Sequence, residues 1–379
     1  ILYTLLIMFP VLASAQINTD RVMAIGRNAL YFEDYVLSIQ YFNQVINAKP
    51  YLSDPYFYRG LAKINLDDFQ GAESDCSEAI ERNPFVVSAY QVRGLARIQQ
   101  NNFAGAIEDY TKALEFDPEN IGVWHNMALC RIRQEDYKGA KNDLDKLIAI
   151  SPRYTKAYLM RGEVDLKQKD TLAAEKDFGK AIEIDRYDAD TWASRAILRL
   201  QQQRYKDAEA DFDHAIRLST RNSGVYINRA LARYHQNNLR GAMSDYDIAL
   251  DIDPNNFIGH YNRGLLRAQV GDDNRAIQDF NFVIEMEPDN MMAIFNRGLL
   301  LDQTGDYKGA IKDYSTVINE YPNFLLGYQY RAQARRKIGD VKGADADEFK
   351  VLKAQLDKQN GVDPNKQTAD NTENNKTRK

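Results

Sequence analysis

The side chains in this sequence best suited to proton transfer or metal ligation are four histidines, His125, His214, His235 and His260. No two stand at ligand spacing on one helix, and the sequence holds no Cys-x-x-Cys, His-Glu-x-x-His, phosphate-loop or nucleophile-elbow pattern. Runs such as Asp211-Phe212-Asp213 and Asp245-Tyr246-Asp247 bring carboxylates together, as a calcium site requires. Their spacing follows helical repeats and not a loop able to wrap roughly six to eight oxygens around an ion. These patterns predict no enzyme activity and no catalytic, metal or cofactor site.

A second set of ionisable residues is periodic. Arg59, Arg93, Arg161, Arg195, Arg229, Arg263, Arg297 and Arg331 fall on a 34-residue grid, and Asp75, Asp109, Asp143, Asp177, Asp211, Asp245, Asp279, Asp313 and Asp347 fall on the same grid 16 residues later. Lys63, Arg97, Arg131, Arg199, Arg233, Arg267 and Arg335 add a base one helical turn after the arginines. Bases in rows could form an anion-binding stripe. Carboxylates of matching period offer internal partners, which favours a structural ladder of ion pairs. The spacing leaves open whether each pair closes within a repeat or between neighbours.

Such spacing requires a tandem array of elements. Pro50, Pro84, Pro118, Pro152, Pro254, Pro288 and Pro322 share the period, with Arg186 and Thr220 at its vacant points. Repeats therefore begin at 19, 53, 87, 121, 155, 189, 223, 257, 291 and 325, with the arginines at repeat position 7 and the aspartates at position 23. Position 8 is always Gly or Ala and position 20 is Ala or Ser, which lets two helices approach closely. Positions 4 and 24 are mostly aromatic, as in Tyr56, Trp124, Phe178 and Tyr314, and fill the space left by the small residues. Helical spacings broken by polar turns such as Gln303-Thr304-Gly305-Asp306 predict one helix-turn-helix hairpin per repeat.

Repeats of this length and pattern, with endings such as Asp251-Ile252-Asp253-Pro254, resemble tetratricopeptide repeats over residues 19–356. The resemblance implies an all-α fold, a right-handed alpha-alpha superhelix or solenoid whose concave face is lined by the first helix of each repeat. It also implies a protein–protein interaction scaffold. The first and last repeats depart from the pattern, with Val22 at position 4 and Glu348 at position 24, and are expected to be capping repeats. Relatives that hold the acidic tails of heat-shock chaperones use Lys at position 5 and Asn at position 9 of one repeat. No repeat here has either, so that ligand is not expected.

Position 5 is expected to face the groove, and its candidate binding residues are Phe57, Gln91, His125, Tyr261 and Phe295. Asn126, Asn228, Asn262 and Asn296 at position 6 are suited to bonding an extended peptide backbone. The row at position 9, Leu61, Leu95, Leu129, Ile197, Leu231, Leu265 and Leu299, is expected mainly to pack neighbouring first helices together. His214 is expected to be solvated, His260 to stand in the core, and His235 to face the groove with His125. The expected partner is a protein or peptide. A carbohydrate- or cell-wall-binding module using the same groove is the alternative.

A net charge of -5 and the lack of a long basic run argue against nucleic acid as a partner. The opening Ile1 to Gln16 is apolar and ends in Ala13-Ser14-Ala15, so residues 1–15 read as an export signal shortened at its N-terminus, cleaved before Gln16. This predicts a bacterial periplasmic, cell-envelope or secreted protein with no membrane span in the mature chain. Cys76 and Cys130 lie two repeats apart, too far for a disulfide, and are read as packed thiols. Residues 357–379 are polar and are expected to form a disordered tail.

Overall fold

The computed structural model describes residues 18–219 and 221–359, and every regular element among them is an α-helix. Contacts divide the chain into two bodies, residues 1–186 and 187–379. In the N-terminal body the first helices are α1 (Thr19–Tyr31), α3 (Asp54–Ile64), α5 (Val87–Gln99), α7 (Ile121–Arg133) and α9 (Thr155–Lys167). Their partners are α2 (Tyr35–Ala48), α4 (Phe69–Arg82), α6 (Phe103–Phe116), α8 (Tyr137–Ile150) and α10 (Thr171–Ile184). In the C-terminal body the first helices are α11 (Ala189–Gln201), α13 (Ser223–His235), α15 (Phe257–Gln269), α17 (Met291–Thr304) and α19 (Leu325–Lys337). They pair with α12 (Tyr205–Leu218), α14 (Leu239–Ile252), α16 (Asp273–Met286), α18 (Tyr307–Glu320) and α20 (Val341–Gln359).

Within each body a second helix packs on its own first helix and on the first helix of the next hairpin, as α16 does on α15 and α17. First helices of neighbouring hairpins touch more lightly, as α15 does α17 and α17 does α19. Each described turn inside a hairpin puts one residue, at repeat position 15, in the left-handed region: Glu33, Asp67, Asn101, Glu135, Lys169, Gln203 and Asn237, then Gly271, Gly305 and Gly339. The side chain of the next residue caps the second helix in all of these hairpins but α11–α12 and α15–α16. Asp136 Oδ1, for example, accepts from the Gly139 N–H at 3.0 Å, and Asp306 Oδ1 from Gly309 N–H at 3.0 Å. Such caps stabilise a helix by about 1 kcal/mol each.

The core runs between the paired helices. Phe42, Tyr110 and Phe178 in one body, and Phe212, Phe280 and Tyr314 in the other, are fully buried at position 24. Small residues at position 8 make room for them: a Cβ at Gly94 would stand 2.8 Å from the Tyr110 ring, and one at Gly298 2.9 Å from Tyr314. Cys76 and Cys130 are free and buried, and burial pushes their thiols up to about 12 and about 11.

The expected export segment lies outside the described residues, as does the tail from residue 360. Residues 357–359, expected in that tail, are instead the last turn of α20. Strong helix formers through Lys353, Ala354, Gln355 and Leu356 carry the helix on. Among the described residues no helix is long and apolar enough to cross a membrane.

Candidate functional site

The periodic arginines point along the seam where three helices meet. Arg229 on α13 forks onto Asp245 on α14, with Nε donating to Oδ2 at 3.0 Å and Nη2 to Oδ1 at 2.6 Å. The same pairing joins Arg59–Asp75, Arg93–Asp109, Arg161–Asp177, Arg195–Asp211, Arg263–Asp279, Arg297–Asp313 and Arg331–Asp347. All eight pairs therefore close within a hairpin. In seven of these arginines, all but Arg195, the remaining nitrogen, Nη1, reaches back 16 residues to the preceding hairpin. Its acceptors are Asn43, Ser77, Asp145, Asp213, Asp247, Asn281 and Ser315, at 2.6–3.1 Å. Sequence reasoning missed these acceptors at position 25, although a period of small polar residues marks them.

Where position 11 is basic it adds a further bond to the aspartate, as from Arg233 at 2.9 Å, Arg267 at 2.7 Å and Arg335 at 2.9 Å, whereas the hairpins of Asp177 and Asp313 carry Asp165 and Leu301 at that position. Arg97 and Arg233 also reach the preceding hairpin, at Glu73 (2.8 Å) and Glu209 (2.7 Å). Between α8 and α9 that link is reversed in sign, with Lys141 donating to buried Asp165. Aromatic rings at position 4 lie under the arginines, with Cζ 5.1 Å from the centre of Trp192 for Arg195 and 5.5 Å from Tyr226 for Arg229. For Arg229, burial would lower the guanidinium pKa, but the bonds to Asp245 outweigh it and the pKa is raised. Burial likewise pushes the Asp279 carboxyl up, yet bonds from His260 and Arg263 prevail and hold it below its ordinary value.

Asp143 is the exception. Its repeat has Met127 at position 7, so the forked partner is missing. Arg131 Nε comes within 2.7 Å of Asp143 Oδ2, but neither atom has a hydrogen bond, because the N–H is not aimed at the carboxylate. Proximity without a directed bond does not offset burial, which pushes this carboxyl up to about 6.

The candidate groove residues occupy the first helices and are half-buried. Phe57 packs in the cluster of Ile46, Tyr56, Ala79 and Ala89, and Gln91 stands one repeat on. His125 on α7 meets Tyr154, whose hydroxyl is 3.3 Å from Nδ1; burial, then Lys156, lowers its pKa. Asn126 stands beside the Tyr110 hydroxyl. In the C-terminal body Asn228 and Asn262 lie on the first-helix surface, and Asn296 Nδ2 donates to Tyr261 Oη at 3.1 Å. Phe295 meets Phe324 edge-on at 5.1 Å. Beside it opens an apolar cavity of about 230 Å³, lined by Met291, Met292, Phe295, Asn296, Val317, Tyr321 and Phe324.

The leucine row at position 9 is mixed, with Leu61, Leu129, Leu231 and Leu299 half-buried and Leu299 packed against Tyr314. Leu95, Ile197 and Leu265 are exposed, because adjacent first helices touch only lightly. His214 is exposed and stacks on Trp192 at 4.3 Å, and His235 lies flat on Tyr205 at 4.6 Å. His260 does the work of the position-4 aromatic it replaces. Its Nε2 faces the Pro254 carbonyl at 3.0 Å, as Tyr158 Oη does that of Pro152 at 3.1 Å, while its Nδ1 faces Asp279 at 3.0 Å.

Among the described residues no group of three or more His, Cys, Asp or Glu side chains is gathered as a metal would require. No curated protein matches the chain. Among solved structures, a tetratricopeptide repeat protein from Parabacteroides merdae is 21% identical, covering 66% of this chain and 98% of its own, with a TM-score of 0.51. The C-terminal part of a TPR repeat-containing protein from Cytophaga hutchinsonii is 17% identical, covering 62% and 97%, with a TM-score of 0.52. At these identities the likeness concerns the fold. Tetratricopeptide repeat family models match residues 94–130, 121–154, 155–188, 194–257 and 261–323, together more than half of the sequence. With hairpins, ladder and family models in agreement, the chain belongs to the tetratricopeptide repeat family, whose repeats build protein–protein interaction scaffolds.

Proposed function

We propose that the chain is a non-enzymatic scaffold that holds a protein or peptide segment on the first-helix faces of its hairpins. One observation carries this reading. The ladder's guanidinium and carboxylate groups bond to one another, so the surface left for a partner is the row of half-buried aromatics and amides, with an apolar cavity beside Phe295. Concave apolar sites with a few amides suit a peptide, whose backbone the amides can bond. The aromatics at positions 4 and 24 do not form an open platform of the kind a sugar stacks on, since Tyr56, Tyr90, Tyr158, Tyr226 and their position-24 partners are buried.

Affinity capture of partners by the full chain, compared with a Phe57→Ala/Tyr261→Ala/Phe295→Ala variant of the same helicity, tests the proposal. Loss of the captured partner from the variant is expected. Equal recovery by both chains would end it. The export reading belongs to the same proposal and rests on the apolar run that closes with Ala13-Ser14-Ala15. It places the scaffold in a bacterial cell envelope or outside the cell, and sequencing the N-terminus of the exported chain is expected to begin at Gln16.

A further inference from the structure

Side-chain bonds between hairpins are spread unevenly along the N-terminal body. From α3 to α2, Arg59 Nη1 donates to Asn43 Oδ1 at 2.6 Å. From α5 to α4, Arg93 reaches Ser77 at 3.1 Å, and Arg97 and Gln100 both reach Glu73 at 2.8 Å. Across α8 and α9, Arg161 reaches Asp145 at 2.6 Å and Lys141 donates to Asp165. Between α6 and α7, among the described residues, no side chain of one helix bonds the other. The C-terminal body has such a bond at each of its own seams, from Arg229, Arg263, Arg297 and Arg331.

Two departures from the repeat leave this seam unlinked. Met127 stands at position 7 of α7, so no guanidinium reaches position 25 of α6, where the Thr111 hydroxyl turns into its own helix and donates to the Ile107 carbonyl at 2.7 Å. Position 21, which supplies Glu73 on α4 and Lys141 on α8, is Ile107 on α6. Arg131 therefore stays inside its own hairpin and bonds Asp136 at 2.8 Å. Tyr110 and Asn126 stand side by side across the seam, yet the tyrosine hydroxyl has no bond. What holds α7 to α6 is apolar: Ala106, Tyr110 and Ala113 meet Val123, Met127 and Cys130 in one cluster. Apolar attraction has no preferred direction, and an unbranched methionine side chain adapts to a shifted neighbour. Hydrogen bonds do prefer one direction, so the linked seams are fixed in register.

We infer that the α6–α7 seam is the slip joint of the N-terminal body, at which the hairpins from α1 to α6 shift against those from α7 to α10 by sliding of one packed helix past the other. The groove candidates Gln91 on α5 and His125 on α7 stand on opposite sides of the joint, so the shift resets their separation. The inference is independent of what the first-helix faces bind.

Nitroxide labels at repeat position 26, where Gln44, Lys112 and Lys180 are exposed, report the movement in the full chain. Gln44→Cys with Lys112→Cys spans two linked seams, whereas Lys112→Cys with Lys180→Cys spans the α6–α7 seam and one linked seam. Cys76 and Cys130 are buried and are expected to take no label. Pulsed electron–electron double resonance is expected to give a distance distribution at least about twice as broad for the second pair as for the first. Met127→Arg supplies a guanidinium with Asp143 for its fork and Thr111 for its third bond, and is expected to narrow the second distribution to the width of the first. Equal widths in the parent chain overturn the inference, as does a Met127→Arg chain of parental helicity in which the second distribution stays broad. If Met127→Arg does not fold, Ile107→Glu takes its place with the same expected narrowing, because it offers Arg131 the acceptor that Glu73 offers Arg97.

Discussion

At repeat positions 5 and 34 the N-terminal body sets His125 against Tyr154, whereas the C-terminal body sets Phe295 against Phe324. The two hairpins, α7–α8 and α17–α18, share helix lengths within a residue, capping aspartates at the same position and a left-handed turn residue in the same place. They differ at positions 5, 7 and 34. The arginine fork is present in α17–α18, where Arg297 bonds Asp313 and Asn281, and absent in α7–α8, where Met127 stands in its place. Small residues at positions 8 and 20 around a buried side chain at position 24, Leu144 or Tyr314, are therefore sufficient for a hairpin in this array. The ladder adds alignment between helices, and position 5 is free to vary between hairpins.

Substitutions in the two hairpins can break or sharpen this contrast. The largest effect is expected from Asp313→Ala, which strands the guanidinium of Arg297 in a site where the carboxylate is almost wholly buried. A cost of about 3–5 kcal/mol to the C-terminal body is expected. Hydrogen exchange in α17 and α18 is the suitable measure, because a repeat array need not unfold as one unit.

Asp143→Asn is expected to act in the opposite direction. The folded carboxyl is raised to about 6, above the ordinary value of about 3.9. Between those two pH values the folded chain binds the proton more tightly than the unfolded chain. Stability therefore falls as pH rises through that window, and the deficit is complete above it. At pH 7 the asparagine is expected to stabilise α7–α8 by on the order of 2 kcal/mol, with the gain fading as the pH approaches 4. Urea titrations at both pH values check this, and a loss of stability at pH 7 would show that Arg131 bonds the carboxylate after all.

The smallest effect concerns His125→Phe, which gives the first site the chemistry of the second. Burial lowers the His125 pKa, so on acidification the unfolded chain takes up its proton first and stability falls below about pH 6.5. Phenylalanine removes that loss. Melting temperatures at pH 7 and pH 5 are expected to differ less in the variant than in the parent.

The period made the hairpins legible from sequence, because Gly or Ala at position 8 and aromatics at position 24 each serve one packing need in repeat after repeat. Arg297 and Asp313 could be matched for the same reason. The third bond of each arginine could not, since its acceptor varies among Asn43, Ser77, Asp145 and Ser315, and a side chain that bonds through any small polar group leaves only a weak compositional trace. The unusual state of Asp143 was visible only as Met127 in an otherwise basic row, and its consequence depends on an N–H direction that sequence does not encode. The cavity beside Phe295 was half legible. Phe295 was a groove candidate from its position, but Tyr321 and Phe324 come from the following loop, and their approach to the helix depends on how that loop turns.

The backward reach of the arginines gives growth of the array a direction. Each hairpin carries its own aspartate and borrows only a secondary acceptor from the hairpin made before it, as Arg263 borrows Asp247. A chain that emerges N-terminus first can thus close such a hairpin against a finished one, with its arginine already paired inside the hairpin. Shortening the gene from its 3′ end after α14 would leave an edge whose position-25 group, Asp247, is a short acceptor that water can serve.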